Sequence, residues 1–366
     1  MLPEDSLENE ADSQGRSTRR QVRARRVDAM QMWREGTLDD RPIKERWSRE
    51  FKKPRIKKLK NPLENFEPES TFEGLVVEVH RRTCEVRLEG ETVTAGYRAT
   101  TVGELREFPA VGDKAVLGKT PSGEFGVVRV LERKSALTRP GPRDSHRREL
   151  TLAANIDQVA VVASVAEPPF NYGFVDRFLL AAALSGLPLL LVLTKIDLLA
   201  SLPREVQEFS EIVDTVLPVS SVTGEGLESL RALLAGKASV LSGQSGVGKS
   251  SLVNKLVPNA DLKIGSVRSK DGKGRHTTTS SSLLDLPAGG FVIDTPGIRS
   301  LGFVDLAPET LAGIFPGFFP KGIVTCKYAN CLHLEEPGCS VRSAVEAGAL
   351  SRARYESYLR ILHSKN

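Results

Sequence analysis

Cysteine is scarce in this chain. There are four in 366 residues, and three of them fall close together with a histidine, at Cys326, Cys331, His333 and Cys339. A disulfide-built domain spreads its cysteines, so the pattern argues for a metal cluster instead. Long apolar runs are also missing. No stretch reaches the roughly 18 consecutive apolar residues of a membrane span, and the most apolar region, 179–194, is broken by Ser185, Gly186 and Pro188. That region reads as a helix followed by a buried strand. The beginning of the chain has no apolar signal core, and the expectation is a cytoplasmic protein. A net basic excess is missing from most of the sequence too. Residues 61–366 carry 34 basic and 35 acidic side chains, whereas residues 16–60 carry 17 against six. The basicity therefore sits in an arm. Such an arm suits phosphate neutralisation by scattered Lys and Arg, or is simply a solvated extension.

What is present divides into five parts. Residues 1–69 lack apolar periodicity and read as a largely disordered extension, with a short helix around 20–35. Residues 70–133 hold five short β-rich runs separated by Gly, Pro and Asp, the pattern of a small closed barrel of the OB type. Such barrels bind nucleic acid, but they also serve as plain scaffolds. Cys84 falls in one of these strands as a small core residue. A basic, proline-bearing linker spans 134–150. From 151 to 303, strands buried on both faces alternate with helices, which implies a mostly parallel, doubly wound α/β sheet. Residues 304–366 are short and irregular, contain the Cys/His cluster, and end in the helical stretch 350–364. The fold class is multidomain: an all-β barrel, an α/β nucleotide domain and a small α-rich metal module.

The chemistry concentrates at "GQSGVGKS", 243–250. It matches the phosphate-loop pattern in full and lies between an apolar run and an amphipathic helix, the context the motif requires. Gly243 and Gly248 permit backbone angles and an approach that side chains would forbid. The amides of Ser245, Gly246, Val247, Gly248 and Ser251 converge with the helix N-terminus on phosphates. Lys249 reaches the β- and γ-phosphates, and the Ser250 hydroxyl holds Mg²⁺.

The base is read elsewhere. "TKID", with Thr194, Lys195 and Asp197, ends a buried strand. Asp197 can accept two hydrogen bonds from guanine N1 and N2, a donor pair that adenine lacks. "SSVTGEG", starting at Ser220 and Ser221, ends the next strand and can contact guanine O6. Asp294 of "DTPG" would bind Mg²⁺ through water, and the Gly297 amide would face the γ-phosphate. Thr277 or Thr278 in "GKGRHTTTS" can ligate Mg²⁺ and sense that phosphate. The residue after "DTPG" is Ile298, which cannot orient water. His276 is the local substitute as base or water-positioner, or else only packs against the loop.

Three thiolates and one imidazole make a closed tetrahedral set, that of one structural Zn²⁺. A disulfide with a spare thiol and an iron–sulfur cluster are the alternatives.

"TKID" precedes the phosphate loop, where ordinary switches have the reverse order. The order base reader, second base loop, phosphate loop, first switch, second switch resembles a circularly permuted GTPase. With the barrel before it and the Cys/His cluster after it, the chain resembles the bacterial ribosome small subunit-dependent GTPase A family. Further shared stretches are "ERKSALTRP" (132–140), "NIDQV" (155–159), "DRFL" (176–179), "GRHTTT" (274–279) and "RYESY" (354–358). The resemblance implies GTP and GDP as ligands with Mg²⁺, and hydrolysis stimulated by the 30S subunit during its late maturation. The implied partners are that subunit and its 16S rRNA, with no membrane or DNA, and the chain is expected to act as a monomer. A second reading is an RNA-binding assembly factor in which GTP only gates affinity. A third is a P-loop kinase, against which the guanine motifs stand.

Overall fold

The computed structural model describes residues 70–80, 82–97, 108–119, 123–140, 149–202, 204–257, 281–295, 306–319 and 325–363. The basic arm, the helix expected near 20–35, and the candidates His276, Thr277, Thr278 and Gly297 lie outside them.

Five strands come first: β1 (Thr71–Val79), β2 (Thr83–Arg87), β3 (Thr92–Gly96), β4 (Lys114–Lys119) and β5 (Phe125–Val130). They pair in the order β1-β2-β3-β5-β4, and β4 returns to β1, which closes the barrel. The alternating residues Cys84 and Val86 of β2 point inward with Val76, Ala95, Leu117 and Val127. Burial pushes the Cys84 thiol up to about 12, so it is an inert core residue at neutral pH.

The next stretch departs from the linker reading. Strand β6 (Ala136–Pro140) pairs antiparallel with β7 (Glu149–Ala154) as a separate two-stranded sheet. Leu137, Ala153 and Ala154 are fully buried there. Three small or apolar anchors in a run rich in charge and proline give too little alternation to register as strands.

The α/β region contains β8 (Gln158–Ser164), α1 (Tyr172–Leu184), β9 (Leu189–Thr194), α2 (Arg204–Gln207), β10 (Thr215–Val219), α3 (Leu227–Leu234), β11 (Lys237–Gly243), α4 (Lys249–Leu256), β12 (Ser282–Asp285) and β13 (Gly290–Asp294). The strand order is β10-β9-β8-β11-β13-β12, parallel except for the last pair. The apolar run of β8 is explained by its two covered faces. Val159, Val161 and Ala163 pack on one side with α1, while Ala160 and Val162 pack on the other with α3 and α4. Strand order reverses between β8 and β11, and ligands bind at such a switch point, outside the carboxyl ends of the strands. Strand β12 has no counterpart in the sequence reading. It also touches the barrel, through the pairing Glu78↔Ser282 with β1.

The C-terminal module comprises α5 (Pro308–Ile314), α6 (Ser340–Glu346) and α7 (Arg352–His363). Phe315, Phe318, Val341, Tyr358 and Ile361 form its core with Leu180 of α1.

Candidate nucleotide site and metal cluster

The phosphate loop leaves β11 at the switch point. A Cβ on Gly243 would sit 2.9 Å from the Val162 carbonyl oxygen of the neighbouring strand, so only glycine lets the loop start that close. Gly248, at φ 91°, begins α4 in a left-handed conformation, where any other residue would be strained. Val247 is buried, Ser245 and Gly246 are exposed, and Ser250 and Ser251 lie half-buried in the first turn of α4.

Two hydrogen bonds join three loops of distant sequence. The Thr194 hydroxyl at the end of β9 donates to the Val247 carbonyl at 2.5 Å. The Ser220 hydroxyl after β10 donates to the Asp197 carboxylate at 2.6 Å, and itself accepts from the amides of Val222 and Thr223 at 3.1 Å each. Lys195 stands at φ 61°, a left-handed position that costs a non-glycine residue about 1–3 kcal/mol. That turn ends β9 and starts the short 3-10 segment Ile196–Leu198, which places exposed Asp197 over the sheet edge. Ser221 lies beside Ser220, half-buried. The Asp294 carboxylate, at the end of β13, is salt-bridged to the Lys249 ammonium. All these groups sit at one edge of one sheet because each ends a parallel strand.

One element of this edge was missed in the sequence. The loop after β8 covers the phosphate loop: Pro168 Cδ lies 3.6 Å from where a Gly246 Cβ would be. The Glu167 carbonyl accepts from the Lys195 ammonium, and the Pro168 carbonyl accepts from the Ser164 hydroxyl at 2.6 Å. The available signal was position alone, since this loop also follows a strand at the switch point.

The Cys/His residues meet in the C-terminal module. The candidate ligand atoms of Cys326, Cys331, His333 and Cys339 all lie within 4.8 Å of one another. His333 Nδ1 is 3.5 Å from each of the three sulfurs. Its other nitrogen, Nε2, is 3.2 Å from the Ala312 carbonyl. Donation there leaves the Nδ1 lone pair facing the sulfurs, the tautomer a metal needs. Burial pulls the imidazole below its ordinary range and keeps it neutral. The His333 amide donates to Cys331 Sγ and the Arg342 amide to Cys339 Sγ, both at 3.4 Å. Such donors favour thiolate. The donor set and its spacing fit one tetrahedral ion with no position left for water.

Helix α7 joins this cluster to the α/β sheet. Tyr358 donates to the Leu332 carbonyl at 2.7 Å, and Tyr355 to the carbonyl of His333. From the same helix Arg354 reaches Asp176 of α1 at 2.8 Å and the Pro316 carbonyl at 2.7 Å. Its guanidinium also lies over Phe209, 4.9 Å from the ring centre. These contacts give the stretches "DRFL" and "RYESY" a shared structural role that neither showed alone.

A parallel sheet with the strands ending in "TKID" and "SSVTGEG" ahead of its phosphate loop, behind a five-stranded barrel and before a Cys₃His cluster, defines a circularly permuted GTPase. The chain belongs to the RsgA family. The RsgA GTPase family model matches residues 130–304. Small ribosomal subunit biogenesis GTPase RsgA of Chlorobaculum parvum is 39% identical over 306 residues, 80% of this chain and 98% of that one. Its namesake in Haemophilus influenzae is 38% identical over 302 residues, 80% of this chain and 84% of that one. Among solved structures, YjeQ from Thermotoga maritima is similar at a TM-score of 0.59 and 32% identity, covering 81% of this chain and 99% of that one. YloQ, a circularly permuted GTPase, is similar at 0.54 and 26% identity, covering 82% and 96%.

Proposed function

We propose that this GTPase hydrolyses GTP with Mg²⁺ on the small ribosomal subunit, late in its maturation and stimulated by it, contacting 16S rRNA as a cytoplasmic monomer. The observation that carries the reading is the pair of bonds Ser220–Asp197 and Thr194–Val247, which bind the two base loops and the phosphate loop into one site. Asp197 then reads guanine, with Thr194, Lys195, Ser220 and Ser221 around the base. Residues 243–251 cradle the phosphates. Lys249 and Asp294 face each other where a γ-phosphate and a hydrated Mg²⁺ would each take one of them, with Ser250 as the direct Mg²⁺ ligand. Thr277, Thr278 and Gly297 sense the γ-phosphate, and His276 positions water. The Cys/His cluster holds Zn²⁺ as a structural ion. Among the described residues no helix is long and apolar enough to cross a membrane. The boundaries 70–133, 151–303 and 304–366 separate barrel, GTPase and metal module.

The test is turnover of GTP and ATP by the full chain, with and without purified 30S subunits. GTP hydrolysis that rises strongly on adding subunits, with ATP inert, is the expected result. Negligible turnover in every arm, with tight subunit binding only in the GTP form, would favour GTP as an affinity gate.

A further inference from the structure

A hollow of about 440 Å³ opens beside the loop that follows β8, between the start of α1 and the end of α7, lined by Pro169, Phe170, Asn171, Tyr172, Gly173, Arg177 and Arg360. Its charge is of one sign. Arg177 and Arg360 come from different helices, and neither forms a salt bridge among the described residues. Burial, followed by the nearby Arg360 charge, pulls Arg177 below its ordinary range. Two guanidiniums are thus held together at a cost that an anion between them would relieve. The neighbouring carboxylate, Asp176, pairs with Arg354 through Oδ1 and offsets only part of the effect on Arg177, whose Nη1 donates to the Gly173 carbonyl at 3.1 Å.

The floor adds donors. Asn171 caps α1 by accepting from the Phe174 amide at 3.0 Å. The Gly173 amide, second in the 13-residue helix, has no intrahelical acceptor, and the helix dipole adds positive potential there. Behind Gly173 stands the Ser357 hydroxyl of α7, fully buried and without a hydrogen-bond partner among the described residues. It lies 3.8 Å from the position a Gly173 Cβ would take, with Arg177 Nη1 at 3.4 Å. The absence of a side chain at 173 leaves this floor open. The rim is aromatic and rigid: the Phe170 and Tyr172 rings meet edge to face at 5.0 Å and both contact Phe209.

We propose that this hollow is an RNA contact site. Arg177, Arg360 and the start of α1 would grip one backbone phosphate, and the Phe170–Tyr172 edge would bear on the adjoining sugar or base. An isolated phosphate needs only the guanidiniums and the amide; the aromatic edge favours a polynucleotide. The site rests on the reading of the chain as a factor of the small ribosomal subunit. Because α7 also carries the contacts to the Cys/His cluster, RNA held here would bridge the GTPase sheet and the metal module.

The test compares the full chain with Arg360→Gln, Arg177→Gln and the double variant for 30S binding across a salt series. Arg360 is exposed, so its replacement leaves the fold intact and keeps the test open if Arg177→Gln destabilises the protein. The double variant is expected to bind about tenfold more weakly near 0.1 M salt, with the slope of log K against log salt smaller by about one. Subunit-free GTP turnover stays at the parental rate. Unchanged affinity and slope in Arg360→Gln and in a folded double variant overturn the site while leaving the subunit reading intact. If the parental chain binds no subunit, that reading falls, and titration of the same proteins with a short RNA duplex decides the site by the same slope criterion.

Discussion

The GTPase sheet is joined to its two neighbours in different ways. On the barrel side the seam is shared between backbone and side-chain bonds, none of them a buried ion pair spanning it. Strand β12 pairs with β1 at Glu78↔Ser282, the Ala154 amide donates to the Val111 carbonyl at 2.9 Å, and the Asn155 side-chain amide donates to the Gly112 carbonyl at 2.9 Å. Among the described residues one salt bridge crosses it, the exposed Arg87–Asp285, and Arg133, paired with Asp113 of the barrel at 2.7 Å, donates to Thr151 of β7 at 3.0 Å. On the metal-module side the seam is side chains. Arg354 and Asp176 are buried to 4% and 0% side-chain exposure, and Phe209 and Phe315 flank the guanidinium. Contacts across the barrel seam are spread over several separate bonds, whereas the metal-side seam centres on one buried ion pair that spans it, and removing one partner strands the other charge. Among the described residues the carboxylate already has one unpaired oxygen, Asp176 Oδ2, so the pair has no reserve.

This contrast can be broken or sharpened by four experiments. Stripping the metal, or replacing Cys331 with Ser, has the largest expected effect, since structural zinc sites supply on the order of 10 kcal/mol to small modules. Hydrogen exchange should show protection lost over 325–363 and kept in β1–β5; loss spread evenly over both would erase the contrast. Arg354→Ala comes next, with a cost of about 3–5 kcal/mol. Denaturant unfolding measures it, and an Arg354→Met/Asp176→Leu pair should regain part of the loss. A cost under about 1 kcal/mol would mean the aromatic contacts alone hold the seam. Thr194→Val leaves the buried Val247 carbonyl without its donor, at about 1–3 kcal/mol. Calorimetry should find GDP affinity reduced roughly tenfold or more with the overall fold unchanged; parental affinity would show that the phosphate loop holds its shape unaided. Arg87→Ala is the smallest, below about 1 kcal/mol for an exposed pair. A melting shift above roughly 4 °C would show that the barrel seam depends on this exposed pair.

Local sequence marked the strand-end loops of the sheet well and the seams badly. "GQSGVGKS", "TKID" and "SSVTGEG" announce themselves because each packs its chemistry into a few adjacent residues at a strand end. The four metal-ligand candidates were legible for the same reason, spanning 14 residues. Asp176 and Arg354 are 178 positions apart; each lies in a helical run where a charge reads as a solvated face. Strand β12 is four residues long, with one of them, Leu283, buried, so periodicity had almost nothing to register. Its place is decided by the partners on either side. The β6–β7 hairpin was hidden in the same way behind proline and charge.

The strand order has a consequence for how the chain acquires its shape. Strands β8, β9 and β10 form one half of the sheet and are consecutive in sequence; β11, β12 and β13 form the other. During synthesis the first half is complete before the second emerges, and contiguous segments fold early. The halves meet along the β8–β11 edge, and the groups proposed to hold the base and the phosphates stand on opposite sides of that edge. A nucleotide would therefore act as a clasp closed last, across a boundary between an older and a younger half. A nascent chain stalled before residue 237 should already have a folded base-reading half with nothing yet to hold a phosphate.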